Sequence, residues 1–494
     1  MARPEDSTTM AQQLDGDRSS DLSDKEQEPK LKDYDVESGQ GRRHSHHHVT
    51  ALDSSSTTES VGRQIEMEAE NTIKYRTCSW QKTAALLFSE YICLAIMSFP
   101  WSYSVLGLVP GLILTVVIAG IVLYTSLIVW RFCLRHPEIR DVCDIGQYLF
   151  WDSKVAWWAT AVMFLLNNTF IQGLHCVSAR SSFSLIVAIA SFFCSLPRTF
   201  GTLAHIATVS AFFTFVSVLL ATIFVGIEGH PANYPIAGEP LVSALPPKGT
   251  TFVQGMNAFL NISYTFIGQI TLPSFIAEMK EPRDFWKSVT AVTIAEIIVF
   301  SLVGSIIYAY TGSQSDYMVA PAFGSISNEV YKKVSFSFMI PTIIFLGVLY
   351  ASVSARFIFF RLFEGTRHKS SNTVVGWASW AGILAVLWIA AWIVAEVIPF
   401  FSSLLSIMSS LFDSFFGFIF WGVAYIRMRS ADHGPRFFME RGIRGWCGFI
   451  FNVFLIFVGL FFLGPGTYAS VMSVVTLYET GSVGGVFTCV SNAV

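Results

Sequence analysis

Charged residues are scarce in this chain, and their scarcity decides its class. Only 14% of its 494 residues are Asp, Glu, Lys or Arg, whereas 52% are hydrophobic. Soluble domains carry about 25% charged residues. A soluble globular fold is therefore excluded, and the long apolar runs predict an all-α integral membrane protein in contact with the lipid bilayer.

The sequence also lacks the usual signatures of catalysis and of nucleotide binding. It has no phosphate-binding loop, no paired metal-ligand helix and no nucleophile elbow in a suitable context. Its eight cysteines are scattered without metal-site spacing, which favours buried apolar roles. We therefore predict that the protein is not an enzyme and has no cofactor, no metal site and no nucleic-acid partner.

The first part of the chain is polar and has almost no aromatic residues. Such a segment cannot bury enough apolar surface to fold alone, and no charged n-region precedes an apolar h-region, so no cleaved signal peptide is expected. We predict a disordered cytoplasmic tail over 1–74, where trafficking or ubiquitination machinery would bind. A transmembrane domain over 75–470 and a short extracellular or lumenal tail over 471–494 would follow.

Eleven later stretches are long enough to cross a bilayer, which takes about 20 apolar residues. The predicted spans are 83–106, 108–130, 155–177, 182–197, 203–227, 252–277, 287–310, 335–358, 375–396, 399–426 and 445–463. Lys and Arg collect in alternate connections, and the positive-inside rule then places the N-terminus in the cytoplasm. The plasma membrane is the expected location, with the vacuolar membrane as the alternative.

Two of these spans carry helix breakers in mid-membrane. In the first, Pro100 removes a backbone donor and crowds the preceding turn, so a kink or opening is expected there. In the sixth, Gly268, Gln269 and Pro273 interrupt the apolar run over 264–273. Interrupted helices in corresponding positions of two halves point to the substrate site of a transporter.

Several polar residues fall inside apolar spans, where they are costly and often functional. Glu90, Glu296 and Asp413 are acidic candidates, although neutral hydrogen-bonded structural roles would also account for them. Asn168, Gln172 and His175 share one face of the third span. They either line a pathway or join helices through hydrogen bonds.

The residues around the second break resemble a family signature. A Gly-Gln break at Gly268, then Glu278-Met279, Pro282 and Asp284-Phe285, resembles the amino acid/auxin permease family. The stretch from Ile96 to Pro100 resembles its first-helix signature. Asp144 to Tyr148 and Ser195 to Phe200 fit the fungal neutral amino acid permeases in particular. The resemblance covers nearly everything after residue 75.

This resemblance implies the leucine-transporter fold, with two inverted five-helix repeats and one further helix. It also implies proton-coupled symport of amino acids. An opened helix offers unpaired N–H and C=O groups to a zwitterion. The predicted substrate-binding residues are Ala95, Ile96, Met97, Ser98, Phe99, Asn168, Tyr264, Phe266, Gly268 and Gln269. We predict neutral substrates with larger aliphatic or aromatic side chains, because the site has no basic group and no acid that is clearly aimed at a side chain.

His205 and Glu90 are the candidates for proton coupling. Relatives often carry a lysine where this chain has His205, and histidine titrates near neutral pH. An interfacial histidine touching headgroups is the alternative, in which case Glu90 becomes the next candidate. Ser352 and Ser354 lie where sodium-coupled relatives of the fold bind that ion, so coupling to sodium stays open by analogy.

Three other functions remain compatible with the sequence. A receptor with this fold would bind amino acids and signal through its tail without net flux. An exporter would act at the vacuole. A channel would need a continuous polar lining, which the scattered polar positions do not favour.

Overall fold

The computed structural model describes residues 76–177, 184–228, 230, 240–312, 321–397 and 401–479. The predicted tail over 1–74 lies outside these ranges, as do residues 480–494. Within the described ranges the regular structure is helical, and the one β-bridge pairs Cys78 with Met279. The predicted all-α class is confirmed.

The helices are numbered here in chain order. Their bounds are α1 Trp80–Tyr91, α2 Phe99–Leu106, α3 Leu108–Arg135, α4 Val142–Leu149, α5 Lys154–Val177, α6 Ser184–Cys194, α7 Phe200–Glu228, α8 Phe252–Phe266, α9 Leu272–Glu278, α10 Phe285–Thr311, α11 Glu329–Ser337, α12 Ile340–Leu362, α13 Val374–Val397, α14 Phe401–Met408, α15 Phe420–His433, α16 Phe437–Glu440, α17 Gly442–Phe461 and α18 Thr467–Glu479. Two π-helical segments, Ser409–Ile419 and Phe462–Gly466, join α14 to α15 and α17 to α18.

Eight helices among the described residues are long and apolar enough to cross a membrane. Their outward faces carry large apolar side chains, such as Phe212, Phe215 and Leu219 of α7. A continuous exposed apolar surface of this kind suits lipid and not water. The count of eleven spans remains a prediction, because α6 has only 11 residues. The last helix continues past the predicted boundary at residue 470, to Glu479.

The first interrupted helix opens earlier than the sequence suggests. α1 ends at Tyr91, Cys93 is extended (φ −121°, ψ −169°), and a 3₁₀ turn over Leu94–Ser98 leads into α2. Pro100 lies in the first turn of α2. The predicted interruption of the first span is therefore present, but it lies before Pro100, at Ile92 to Ser98, and not at the proline itself. Proline is tolerated in the first turn, where its missing N–H would have no partner anyway.

The second interrupted helix opens where it was predicted. α8 ends at Phe266, Ile267 is extended (φ −94°, ψ 102°), and α9 begins at Leu272 with Pro273 in its first turn. The α2 half packs against the α8 half through Phe99 and Phe266, whose ring centroids are 6.2 Å apart. The two breaks therefore lie side by side in the centre of the bundle.

Candidate functional site

A small cavity of about 30 Å³ lies between the two breaks. It is large enough for about two water molecules and too small for an amino acid, and we call this conformation closed because it leaves no room for a substrate. The cavity is lined by Glu90, Tyr91, Cys93, Leu94, Ala95, Asn167, Ile171, Leu174, His175, Tyr264, Thr265, Ile267, Ile270, Leu346, Tyr350, Phe401, Asp413 and Phe416.

Glu90 connects three elements at the bottom of this cavity. It lies in the last turn of α1, and its side chain is buried. Its Oε1 accepts a hydrogen bond of 2.8 Å from the Tyr350 hydroxyl of α12. The same oxygen lies 2.9 Å from the Thr271 hydroxyl in the second break, which alternatively donates to the carbonyl of Gly268 at 2.9 Å. Oε2 has no partner.

The first break presents backbone donors to the cavity. Leu94 and Ala95 are the first residues of the 3₁₀ turn, and both line the cavity. The first amides of a helix have no carbonyl acceptor within it, and the positive end of the helix dipole lies there as well. This arrangement favours a carboxylate. A positively charged group, such as the ammonium of a substrate, would be favoured near the backbone carbonyls that end α1 and α8.

The third wall comes from α5, α12 and the π-helical segment. On α5 the lining face consists of Asn167, Ile171, Leu174 and His175. Asn168, which was predicted to bind substrate, points away and donates to Ser354 Oγ at 2.9 Å. The face of α5 that lines the cavity is therefore shifted by about one residue from the polar face that was predicted for the third span.

Aromatic side chains close the cavity on the side of α2 and α8. The ring centroids of Phe99 and Phe300 are 4.8 Å apart, and those of Phe266 and Phe300 are 5.1 Å apart. All three side chains are fully buried. Phe99 and Phe266, both predicted to bind substrate, thus form a layer above the cavity and do not line it.

A buried ion pair lies at the end of α9. Arg356 of α12 pairs with Glu278 at the end of α9 and donates to the carbonyl of Arg198 at 2.7 Å. Its guanidinium also lies 4.0 Å from the ring centroid of Phe200. Beyond this ion pair a wider cavity of about 720 Å³ is lined by charged residues, among them Arg140, Asp144 and Arg361.

The other predicted residues have structural contacts. Ser98 donates to the carbonyl of Ala95, Gln269 donates to Thr125, and Gly268 lies against the Tyr91 ring. Ile96 and Met97 are fully buried without lining the cavity. His205 is exposed on α7, while its neighbours Ala204 and Ala207 face inward. Of the predicted side chains, Glu90, Ala95 and Tyr264 line the cavity.

Tyr350, Asn167 and Cys93 line the cavity but were not among the predicted site residues. Asp413 and His175 also line it, and no definite role was predicted for them from the sequence. Tyr350 gave a usable signal, since a hydroxyl-bearing residue within an apolar span needs a partner. Among the described residues, no three His, Cys, Asp or Glu side chains lie close enough together to hold a metal ion.

Two interrupted helices that open beside one small cavity, in a bundle of bilayer-length helices, are typical of a membrane carrier. The chain belongs to the transmembrane amino acid transporter protein family, whose sequence model matches residues 76–472. The predicted family resemblance is confirmed.

Two fungal relatives match most of the chain. The "N amino acid transport system protein" of Neurospora crassa is 28% identical over 85% of this chain and 90% of its own. A "Transmembrane transporter" of Gibberella moniliformis is 28% identical over 89% and 93%. Among solved structures, a manganese transporter of Eremococcus coleocola gives a TM-score of 0.41 at 12% identity, covering 83% of this chain and 95% of that chain.

Proposed function

We propose that the protein is a secondary transporter that carries neutral amino acids across a membrane together with protons. The observation on which the proposal rests is the position of Glu90. Its carboxyl borders the cavity between both breaks and is hydrogen-bonded by hydroxyls from the second break and from α12. A proton on this group would therefore change contacts in three elements that have to move together.

The substrate's charged groups are expected at the breaks. The amides at Leu94 and Ala95 suit a carboxylate, and the carbonyls ending α1 and α8 suit an ammonium group. The lining includes no Lys or Arg, so an acidic side chain would enter unpaired at high cost. Apolar residues such as Leu346, Phe401 and Phe416 fit larger aliphatic and aromatic side chains.

Coupling follows from how Glu90 uses its two oxygens. When charged, the carboxylate accepts hydrogen bonds from Tyr350 and Thr271. When protonated, Oε2 becomes a donor and needs an acceptor, which Oε2 lacks in the closed structure. Proton uptake and substrate entry would then stabilise the same rearrangement. His205 stays a second coupling candidate, although its exposed position places it away from the cavity.

Uptake by purified protein in liposomes tests this function. Labelled leucine should accumulate when the outside is more acidic, and a protonophore should abolish the accumulation. A receptor would bind leucine without any flux. Uptake that follows a sodium gradient and ignores pH would contradict the proton part of the proposal.

A further inference from the structure

Asp413 is a buried acid whose contacts leave one oxygen free. It lies in the π-helical segment Ser409–Ile419, lines the cavity, and is only 6% exposed. Within the part of the chain that the structure describes, its Oδ2 has no hydrogen-bond partner. Short π-helical segments widen the helix locally and occur frequently at functional sites. The Ser409 hydroxyl of the same segment interacts with this carboxyl, and a buried oxygen left without a donor is unfavourable, so Oδ2 can accept a hydrogen bond from a bound substrate.

The other buried acids of the central bundle do not share this position. Glu90 also lines the cavity, but hydroxyls of Tyr350 and Thr271 serve one of its oxygens. Glu296 has an unpartnered oxygen and does not line the cavity. Asp413 thus differs from Glu90, because among the described residues no hydroxyl of the two breaks or of α12 donates a hydrogen bond to it.

The wall that contains Asp413 is where a substrate side chain would lie. If the two breaks hold the ammonium and carboxylate groups, the side chain is left to face α5, α12 and the π-helical segment. That wall is mostly apolar, with Ile171 and Leu346 among its members. Asp413 and His175 each add an unpartnered polar atom, Oδ2 and Nδ1 respectively.

We propose that Asp413 is a specificity-determining residue that accepts a hydrogen bond from the side chain of the transported amino acid. The proposal rests on the proposed function. Between neutral amino acids of equal size, the site favours the one whose side chain carries a hydroxyl or amide donor. The apolar analogue leaves Asp413 buried and unpaired, which is how a polar site rejects a substrate lacking the matching group.

Threonine and valine give the sharpest comparison, because they have the same shape and differ by the hydroxyl. In the natural protein, kcat/KM for threonine should exceed that for valine by roughly tenfold, the ratio that corresponds to one buried hydrogen bond. Asp413→Leu should bring this ratio to one or below. Asp413→Asn keeps an amide oxygen as acceptor and should keep most of the preference.

Ser414→Ala is the matched control. Ser414 is the next residue in the same π-helical segment, and its hydroxyl donates to the carbonyl of Leu411, so its loss should leave the ratio unchanged. If Asp413→Leu does not reach the membrane, Asp413→Ala replaces it in the same comparison. A ratio taken within one variant cancels differences in expression.

Three results would overturn the role of Asp413. The first is an unchanged threonine-to-valine ratio of kcat/KM in Asp413→Leu. The second is a natural protein that prefers valine. The third is that lysine or arginine competes most strongly for uptake, because the carboxyl would then be a charged counter-ion. The first two results would leave the transport of neutral amino acids standing, whereas the third would also replace the neutral substrate class by a cationic one. Absence of amino acid uptake by the natural protein would instead remove the proposed function.

Discussion

Gly268 lies in the second break, next to the Tyr91 ring at the end of α1. A side chain there would run into the Tyr91 ring, since even a Cβ atom would overlap with it. Tyr91 and its neighbour Glu90 both line the cavity. The glycine therefore allows the close approach that the site needs.

Gly268→Val should reduce uptake at least tenfold while the protein still inserts into the membrane. The valine side chain would push the two breaks apart, and a displacement of binding groups by about 1 Å has effects of that size or more. Labelled leucine uptake, normalised to protein in the membrane, measures this. Gly382→Val is the control, since Gly382 has open space around its Cβ position. Full transport by Gly268→Val would separate this break from the site.

Asp144 lies on α4, outside the membrane spans, in contact with Arg361 at 3.0 Å. Burial, together with the neighbouring carboxyl of Asp141, raises its pKa to about 6. The folded protein therefore binds more protons than the unfolded chain between about pH 4 and about pH 6. This residue's contribution makes the protein less stable as pH rises through that window.

Asp144→Asn should remove that contribution. Compared with the natural protein, the variant's thermal unfolding temperature in detergent should fall less between about pH 4.5 and about pH 7. Arg361 keeps Asp141 as a partner at 2.9 Å, so the network is not lost with the substitution. Identical pH dependence in both proteins would show that Asp144 has no shifted titration.

At the scale of elements, α9 is held in place by its end. It has only seven residues, and Glu278 ties it to α12 through Arg356. The same arginine donates to the carbonyl of Arg198, just before α7. If this ion pair breaks, the short helix α9 can move at that end. Its movement would connect the small cavity with the wider cavity that Glu278 and Arg356 also line.

Glu278→Gln should loosen this closure. Removing one member of a buried ion pair leaves the other uncompensated, at a cost of about 3–5 kcal/mol, and we expect an open state that exchanges substrate but accumulates it poorly. A cysteine placed at Ala277, which lines the wider cavity, should react faster with a thiol reagent in this variant. Unchanged reactivity would mean that the ion pair does not control access.

The elements also show which signals the sequence carries. The second break was predictable because glycine and proline fall together in mid-span. The first was misplaced because its opening at Cys93 has no breaker residue, whereas Pro100 sits where a helix tolerates it. Asn168 was chosen in place of Asn167 because a helix's rotation is set by packing, here by the bond to Ser354.

At the scale of the whole molecule, the two breaks and a small cavity lie within a bundle of closely packed helices. Phe99, Phe266 and Phe300 form an aromatic cluster between α2, α8 and α10, and the Arg356–Glu278 pair joins α9 to α12. Composition was enough to predict the helical membrane class. It could not predict which side chains meet at the centre, because Glu90, Tyr350 and Asp413 come from three distant parts of the chain.

Glu90→Gln tests most directly whether Glu90 couples proton movement to amino acid transport. Glu90→Gln keeps the acceptor oxygen for Tyr350 and Thr271 but cannot release a proton. In liposomes this variant should exchange labelled for unlabelled leucine at close to the natural rate, while pH-driven accumulation is lost. Accumulation by Glu90→Gln with the natural pH profile would contradict the account.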